Sequence, residues 1–396
     1  MISNRQAFLN YLASTSDSPM SIEIESAKGV FMYGPDGKDY LDLISGVSVS
    51  YLGHSDPRII EAVKIQADKH LHLMVYGEFI QSPQVNYAEL LAKNLPPSLQ
   101  RIYFVNSGAE AVEGAMKLAK RFTGRSEMAA FHNAYHGSTQ GALSILGGEY
   151  YKREFRPLLP GISFLRYNCL DDLSLITNKT ACLMVEVLQA EAGVVSVDPE
   201  FLTALRQRCD ETGTLLVFDE IQTGFGRLGE VFGFRKYGVL PDILVLAKSL
   251  GGGMPLGAFV SSDIIMSELS HHPALGHITT FGGHPISCAA GLAAFNVLLE
   301  EKLHLRALEI EKLFRQQLVH PVIREVRGCG LLLAVEFGNS EMMRRVVANA
   351  TRNGLVTDWF LFCDTAIRIS PALNISENEV KTACSRLIAA IDQSII

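Results

Sequence analysis

The chain has 396 residues, of which 48% are hydrophobic and 19% are charged, and its formal net charge is −7. This composition is typical of a globular protein of two or three domains with a large core, and it gives no support for nucleic-acid binding, which usually needs a basic face. No apolar stretch reaches the ~18 residues of a membrane span, so we expect no membrane association. Seven cysteines without a CxxC pair favour a location in the reducing cytoplasm.

The two ends of the chain differ in pattern from its middle. Residues 1–55 contain short strand and turn patterns, including a turn at residues 34–37. Residues 291–396 mix helices with short strands such as Leu331–Phe337. We therefore predict that both ends contribute to a small α+β domain, and that residues 56–290 form a large ligand-binding domain.

The middle of the chain alternates strand-like and helix-like segments. Helices are predicted over Ala109–Phe122, before Gly124, and from Pro199 to Thr212, after a capping Asp198. Nearly continuous apolar runs predict buried strands at Arg101–Asn106, Cys182–Val187, Thr214–Phe218 and Ile243–Ala247. This alternation indicates an α/β fold with a mostly parallel sheet covered on both faces, and such sheets bind ligands at the carboxyl ends of their strands.

Two segments at predicted strand ends suggest sites for a cofactor. Ser107 and Gly108 stand between a strand and a helix, where backbone N–H groups and the helix dipole favour a phosphate; a plain helix cap uses the same donors. Lys248 follows a strand and precedes three glycines, so partial desolvation would make its amine nucleophilic. The alternative is a surface lysine that enters a flexible loop.

Asp219 and Glu220 end another predicted strand. A carboxylate there could keep a cofactor's ring nitrogen protonated, or it could cap the next turn. A strand followed by Asp-Glu also resembles the magnesium-binding strand of P-loop ATPases, but the chain has no GxxxxGK[ST] segment.

Two other patterns are poor candidates for function. Residues 224–229 match GxGxxG, but no strand directly precedes them and no amphipathic helix follows, so a nicotinamide cofactor is not expected. His132 and His136 are four residues apart in a loop-like segment without an HExxH pattern, and we predict no metal site.

Taken together, the chain resembles the class III aminotransferases, in the subgroup of ornithine, acetylornithine and ω-amino acid aminotransferases. Eight segments in the family's order carry this resemblance: GHxxP at 53–57, NSGAEA at 106–111, YHGST at 135–139, ExxxxE at 186–191, DEIQTGFGR at 219–227, LAKSLGGGMPLGA at 246–258, TTFGGHP at 279–285 and RISPAL at 368–373. The resemblance implies the pyridoxal 5′-phosphate (PLP)-dependent transferase fold, fold type I, with a seven-stranded, mostly parallel sheet and a small domain from both chain ends.

The resemblance also implies roles for residues around the cofactor. Lys248 would hold PLP as a Schiff base and shuttle a proton, and Asp219 would pair with the pyridine nitrogen. Gln222 would bind the phenolic oxygen. The other residues assigned to the cofactor are Tyr135 and Ile221 on the two ring faces (Tyr135 alternatively in the core), His136 nearby, Ser107, Gly108 and Ala109 at the phosphate, and Thr280 at the phosphate of a neighbouring subunit.

The substrate residues implied by the resemblance are Arg368, Glu191, Val47 and Ser138. Arg368 would bind the α-carboxylate of an oxo acid, and Glu191 would pair with this arginine when the substrate lacks such a carboxylate. Ser138 stands where the ornithine and acetylornithine enzymes carry Arg, and His284 stands where the family usually has Asn. The serine leads us to expect weaker binding of donors with a distal α-carboxylate.

The expected function is therefore a transaminase that moves an amino group from an ω-amino acid or (acetyl)ornithine-like donor to 2-oxoglutarate or a similar 2-oxo acid. Because Thr280 would reach a neighbour, a homodimer with shared active sites is expected. An aminomutase or decarboxylase of the same fold shares Lys248 and Asp219, although Arg368 with Glu191 favours the transaminase. A regulatory protein without catalysis is disfavoured by the intact Lys248, Asp219 and Gln222 set.

Overall fold

The computed structural model describes residues 2–395, and short elements occupy its first hundred residues. Strands β1 (Ser26–Lys28), β2 (Phe31–Tyr33) and β3 (Asp39–Asp42) pair antiparallel in sequence. The helical segments here are α1 (Asn4–Tyr11), α2 (Ser45–Ser48), α3 (Pro57–Lys69) and α4 (Ser82–Lys93). Helix α3 begins where the sequence provides an aspartate cap and a proline, because the Asp56 carboxylate accepts from the Arg58 N–H and Pro57 occupies the first turn.

A seven-stranded sheet forms the centre of the structure. A separate short hairpin is formed by β8 (Leu188–Gln189) and β9 (Val195–Ser196). The seven strands of the central sheet are β4 (Arg101–Val105), β5 (Glu127–Phe131), β6 (Ile162–Leu165), β7 (Thr180–Val185), β10 (Leu215–Asp219), β11 (Ile243–Leu246) and β12 (Gly257–Ser261). Their spatial order is β4-β12-β11-β10-β7-β5-β6. Only β12 runs antiparallel to its neighbours, so the expected mostly parallel sheet is confirmed.

Helices cover both faces of this sheet. Alternate residues of β10 belong to different cores: Leu215 and Val217 pack with helix α5 (Gly108–Thr123), whereas Leu216 and Phe218 belong to the larger cluster on the other face. This alternation follows from the period of two in a strand and explains why the central strands are apolar throughout. The remaining helices of this region are α6 (Gln140–Ser144), α7 (Pro199–Thr212) and α8 (Asp263–Met266).

The last hundred residues add helices and a second sheet. Helices α9 (Pro285–Glu300) and α10 (Leu303–Gln317) precede the strands β13 (Glu325–Cys329) and β14 (Leu332–Glu336), and helix α11 (Ser340–Arg352) leads to β15 (Leu355–Val356), β16 (Trp359–Phe360), β17 (Cys363–Ile369) and helix α12 (Glu377–Ile395). Strands β13, β14, β17 and β16 form one sheet, while β15 pairs in parallel with β3. The two chain ends thus share a sheet; the exact domain boundaries stay a prediction.

Several predicted elements are confirmed closely. Helix α5 ends at Gly124, whose φ of 69° is left-handed, and helix α7 ends at Gly213, with φ of 65°. Both glycines occupy the cap position that disfavours a side chain. Within residues 2–395, no helix is long and apolar enough to cross a membrane.

Candidate active site

The carboxyl ends of the parallel strands open into a cavity of about 760 Å³. Most of the residues singled out in the sequence line it. They are Ser107, Gly108, Ala109, Tyr135, His136, Ser138, Glu191, Asp219, Ile221, Gln222 and Lys248. Most of these residues meet because they lie at or after the ends of parallel strands of the seven-stranded sheet, and such ends lie at the same edge.

One end of the cavity is the N-terminus of helix α5. Ser107 is the N-cap, and its hydroxyl accepts from the Glu110 N–H at 3.2 Å. The N–H groups of Gly108 and Ala109 have no acceptor within residues 2–395. A Cβ on Gly108 would lie 2.7 Å from Ile221 Cδ1, so glycine allows this close packing. Free N–H donors at the positive end of a 16-residue helix fit a phosphate group.

Lys248 begins a short 3-10 turn directly after β11. Its φ of 49° is left-handed, a conformation that residues with a side chain adopt infrequently. The amine Nζ donates to Gln222 Oε1 at 2.7 Å, which holds it at the cavity. Burial lowers the pKa of Lys248 to about 8, although the charge of Glu191 opposes this fall. The amine is therefore more often neutral, and more nucleophilic, than an exposed lysine.

Asp219, the last residue of β10, is buried beside His136. The Asp219 carboxylate is 2.7 Å from His136 Nδ1 through Oδ2, and it accepts from the Ile221 N–H through Oδ1 at 3.0 Å. Burial alone would lower the pKa of His136, but the hydrogen bond and charge of Asp219 outweigh it, and the pKa is raised. His136 thus orients Asp219 and partly balances its charge at the cavity wall.

Glu186 lies next to this pair, directly after β7. It accepts from the Tyr135 N–H at 3.2 Å and from the Ala190 N–H at 3.1 Å. Burial raises the pKa of Glu186 to about 7, and the neighbouring charge of Asp219 adds to the rise. The sequence shows Glu186 only as the first glutamate of the ExxxxE segment, and its hydrogen bond to the loop that contains Tyr135 was not predicted.

Arg368 lies behind the cavity, in β17, and is 2% exposed. Its Nη1 donates to Glu191 Oε1 at 2.8 Å and its Nη2 to Glu191 Oε2 at 3.2 Å. Burial would raise the pKa of Glu191, but the charge of Arg368 dominates and the pKa is lowered. Glu191 itself lines the cavity, so it separates the guanidinium from the space available to a substrate.

Besides Arg368, two predicted residues, Val47 and Thr280, do not line the cavity. Gly46, Val47 and Ser48 all have φ near +60°, and after this left-handed turn Val49, rather than Val47, lines the wall. Thr280 is exposed, while its neighbour Thr279 accepts from Asn106 Nδ2 at 2.8 Å, close to the start of α5. Reaching a second subunit from this position stays a prediction for Thr280.

The residues present fit the cofactor that the resemblance implies. The cavity offers free N–H donors at a helix N-terminus for a phosphate, a lysine amine with a lowered pKa, and a buried carboxylate that has unused lone pairs for a protonated ring nitrogen. Tyr135, Ile221 and Gln222 line the same space, and their contacts with the ring stay predictions. Within residues 2–395, no group of three or more His, Cys, Asp or Glu side chains could hold a metal ion.

Comparison with known proteins gives matches over nearly the whole chain. The family model described as "Aminotransferase class-III" matches residues 12–391. The acetylornithine aminotransferase of Methanopyrus kandleri is 38% identical over 383 residues, covering 95% of this chain and 96% of that protein. The crystal structure of the Toxoplasma gondii ornithine aminotransferase is 30% identical, with a TM-score of 0.90 over 98% of this chain and 93% of that one. A Pseudomonas jessenii omega transaminase in complex with PMP is 25% identical, with a TM-score of 0.92 over 99% and 98%.

The lowered pKa of Lys248 predicts how the cofactor-free protein reacts with PLP. Because the neutral amine is the nucleophile, the rate of adduct formation should rise with pH and level off above a midpoint near 8. Stopped-flow absorbance measures this rate, and borohydride reduction followed by peptide mass mapping locates the adduct. A midpoint near the ~10.4 of an ordinary lysine, or an adduct on another lysine, would contradict the assignment. Lys248→Ala provides the control and should form no stable adduct.

Proposed function

Because the chain belongs to the class III aminotransferases, we propose that it moves an amino group from an ω-amino acid or (acetyl)ornithine-like donor to 2-oxoglutarate or a similar 2-oxo acid. The protein is a transaminase of fold type I, and its cofactor is PLP, as the sequence led us to expect. PLP, when bound, carries the amino group between the two substrates and withdraws electrons from the reacting carbon. The residues of the chain bind, orient and exchange protons around it.

One observation supports transamination above the other reactions of this fold: Lys248 and the Glu191–Arg368 pair serve the same cavity. A transaminase accepts two substrates in turn, and the reacting amine of an ω-amino donor has no carboxylate beside it. The oxo acid does have one, and a guanidinium binds it through two parallel hydrogen bonds. An arginine with a removable carboxylate partner satisfies both substrates.

The balance of charge explains why Glu191 must stay for one substrate and leave for the other. Arg368 is buried, and removing one carboxylate from a buried ion pair costs about 3–5 kcal/mol. With an ω-amine in the cavity, Glu191 keeps the guanidinium paired. With an oxo acid, the substrate carboxylate takes the place of Glu191, so the number of ion pairs does not change. Lys248 Nζ, held by Gln222, is the group that moves the proton at the reacting carbon.

The far end of the cavity favours donors without a distal carboxylate. Among the described residues, Lys248 is the sole lysine or arginine that lines the wall. Ser138, at the wall, provides a hydroxyl that lies 3.2 Å from the Tyr135 hydroxyl. Since no described residue of the wall besides Lys248 provides a cation for a distal carboxylate, we propose that diamines, which have no carboxylate, are better donors than acetylornithine, the compound after which the Methanopyrus kandleri relative is named.

A donor screen tests this function. The loaded enzyme should show the absorbance change of the amine half-reaction with a diamine or an ω-amino acid, and 2-oxoglutarate should reverse it. The kcat/KM for N-acetylornithine should be lower than that for a diamine, because no cation in the cavity wall is placed to pair with its α-carboxylate. The absence of any spectral change with every donor would refute the transaminase proposal, whereas a preference for N-acetylornithine would refute only the donor assignment.

A matched pair of variants isolates the contribution of Ser138. Ser138→Arg supplies the missing guanidinium and should raise kcat/KM for N-acetylornithine by about 10–100-fold, the equivalent of one charged hydrogen bond of ~1.5–3 kcal/mol. Ser138→Ala removes the hydroxyl without adding charge and should not produce this gain.

We also propose that the chain forms a homodimer with shared active sites. Two segments with exposed apolar side chains support this. The first, residues 72–80, contains Ile80, which is 95% exposed, and the second, residues 279–281, contains Phe281, which is 53% exposed. The two segments are in contact, since the rings of His72 and Phe281 lie 4.9 Å apart, and Thr280 belongs to the second segment. Exposed apolar patches of this kind mark protein interfaces. Seven free cysteines support a location in the reducing cytoplasm.

The dimer prediction is tested at this apolar patch. Ile80→Asp together with Phe281→Asp should raise the dimer dissociation constant at least about 30-fold, because two apolar anchors are replaced by charge. Leu305→Asp, on helix α10 and 51% exposed, is the matched control and should leave assembly unchanged. Analytical ultracentrifugation measures both, and an active wild-type monomer would contradict shared active sites.

A further inference from the structure

Each residue of a short hairpin segment, residues 358–362, contacts either Arg368 or Glu191. The first three residues contact Arg368. Asp358 Oδ1 accepts from Arg368 Nε at 3.0 Å, and the Trp359 carbonyl accepts from Nη2 at 3.3 Å. The ring of Phe360 lies under the guanidinium, 4.8 Å from ring centre to Cζ. Arg368 is therefore held on one edge and one face by residues other than Glu191.

The same segment also holds Glu191. The Leu361 N–H donates to Glu191 Oε2 at 3.1 Å, and the Phe362 N–H donates to the Glu191 carbonyl at 3.0 Å. The backbone bond fixes the chain at Glu191, whereas the side-chain bond must break if the carboxylate moves. The segment thus stabilises the paired arrangement of Glu191 and Arg368 through hydrogen bonds that can break when the Glu191 carboxylate moves.

The two carboxylates divide the guanidinium between them. Asp358 occupies the Nε edge, and Glu191 occupies the end formed by Nη1 and Nη2. Asp358 cannot easily follow Glu191, because its own carbonyl accepts from the Arg368 N–H at 2.9 Å and ties the two backbones together. When Glu191 leaves, the open end of the guanidinium is the edge that faces the cavity.

We propose that Asp358 is a positioning residue for the oxo-acid substrate: it keeps the Nη1–Nη2 end of Arg368 directed at the cavity when Glu191 gives way. This inference rests on the proposed transaminase function and assigns to Asp358 a part in substrate selection. A planar guanidinium offers a carboxylate either its Nε side or its Nη end, and both are bidentate. With Asp358 on the Nε side, the substrate carboxylate replaces Glu191 on the same two nitrogens, so the buried cation is paired with two carboxylates before and after the exchange.

Three variants separate this role from a purely structural salt bridge. Asp358→Ala removes the acceptor on Nε, so the guanidinium can turn. The rate constant of the half-reaction with 2-oxoglutarate should fall at least about 30-fold, while that with a diamine, in which Glu191 stays paired, should change less than about threefold. Asp358→Asn keeps an oxygen acceptor of the same length and should recover the 2-oxoglutarate half-reaction to within about fivefold of wild type. Asp358→Glu keeps the charge but displaces the guanidinium by a methylene, and it should show the same selective loss if the alanine variant does not fold.

Single-turnover absorbance with each substrate and thermal unfolding of each variant measure these effects. Equal losses in both half-reactions, no selective loss with 2-oxoglutarate, or an asparagine variant as impaired as the alanine variant would overturn the proposal. The wild-type protein distinguishes the two levels of the account. If the wild type completes neither half-reaction, the proposed transaminase function is refuted. If it completes both and the Asp358 variants show no selective loss with 2-oxoglutarate, only the proposed role of Asp358 is refuted.

Discussion

The free-energy cost of removing charged side chains from water is the constraint that shapes this active site. Lys248, Asp219 and Arg368 all lie in or directly behind one cavity; Asp219 is paired with His136, and Arg368 is paired with Glu191 and Asp358. An ion left unpaired in such a place costs several kcal/mol. We therefore propose that substrate groups exchange with protein groups rather than add to them, whereas the lysine avoids the penalty through a lowered pKa. This exchange would let one cavity accept two unlike substrates.

The sheet explains how distant parts of the chain reach the same cavity. Ser107, Asp219 and Lys248 were predicted to lie together because each follows an apolar run, and continuous apolar runs are what a sheet covered on both faces requires. The helix ends at Gly124 and Gly213 were predictable for a different local reason, since glycine favours the left-handed cap position. The direction of β12 was not, because GAFVS has the composition of a strand but nothing in it specifies an antiparallel neighbour. Residues 224–229, which match a dinucleotide motif, form turns rather than a strand and helix.

Contacts between segments far apart in sequence are the part that local patterns did not reveal. His136 and Asp219 are 83 positions apart, and Glu191 and Arg368 are 177 apart; the family resemblance, and not periodicity, drew attention to the second pair. Asp358 had no such signal, since an aspartate before Trp359 is indistinguishable from a surface residue until the hairpin of β16 and β17 places it on Arg368. Val49 lines the cavity instead of Val47 because four successive residues with positive φ, residues 45–48, turn the chain there.

The central claim is that one cavity serves two substrate classes because Glu191 and the oxo-acid carboxylate exchange on Arg368. Single-turnover kinetics of Arg368→Ala with 2-oxoglutarate and with an ω-amine test it most directly. The account predicts a loss of roughly 2–5 kcal/mol in transition-state stabilisation for the 2-oxoglutarate half-reaction, the scale for one partner of a buried charge pair, and a much smaller loss for the amine. Equal losses in the two half-reactions would mean that Arg368 is structural and that the exchange does not take place.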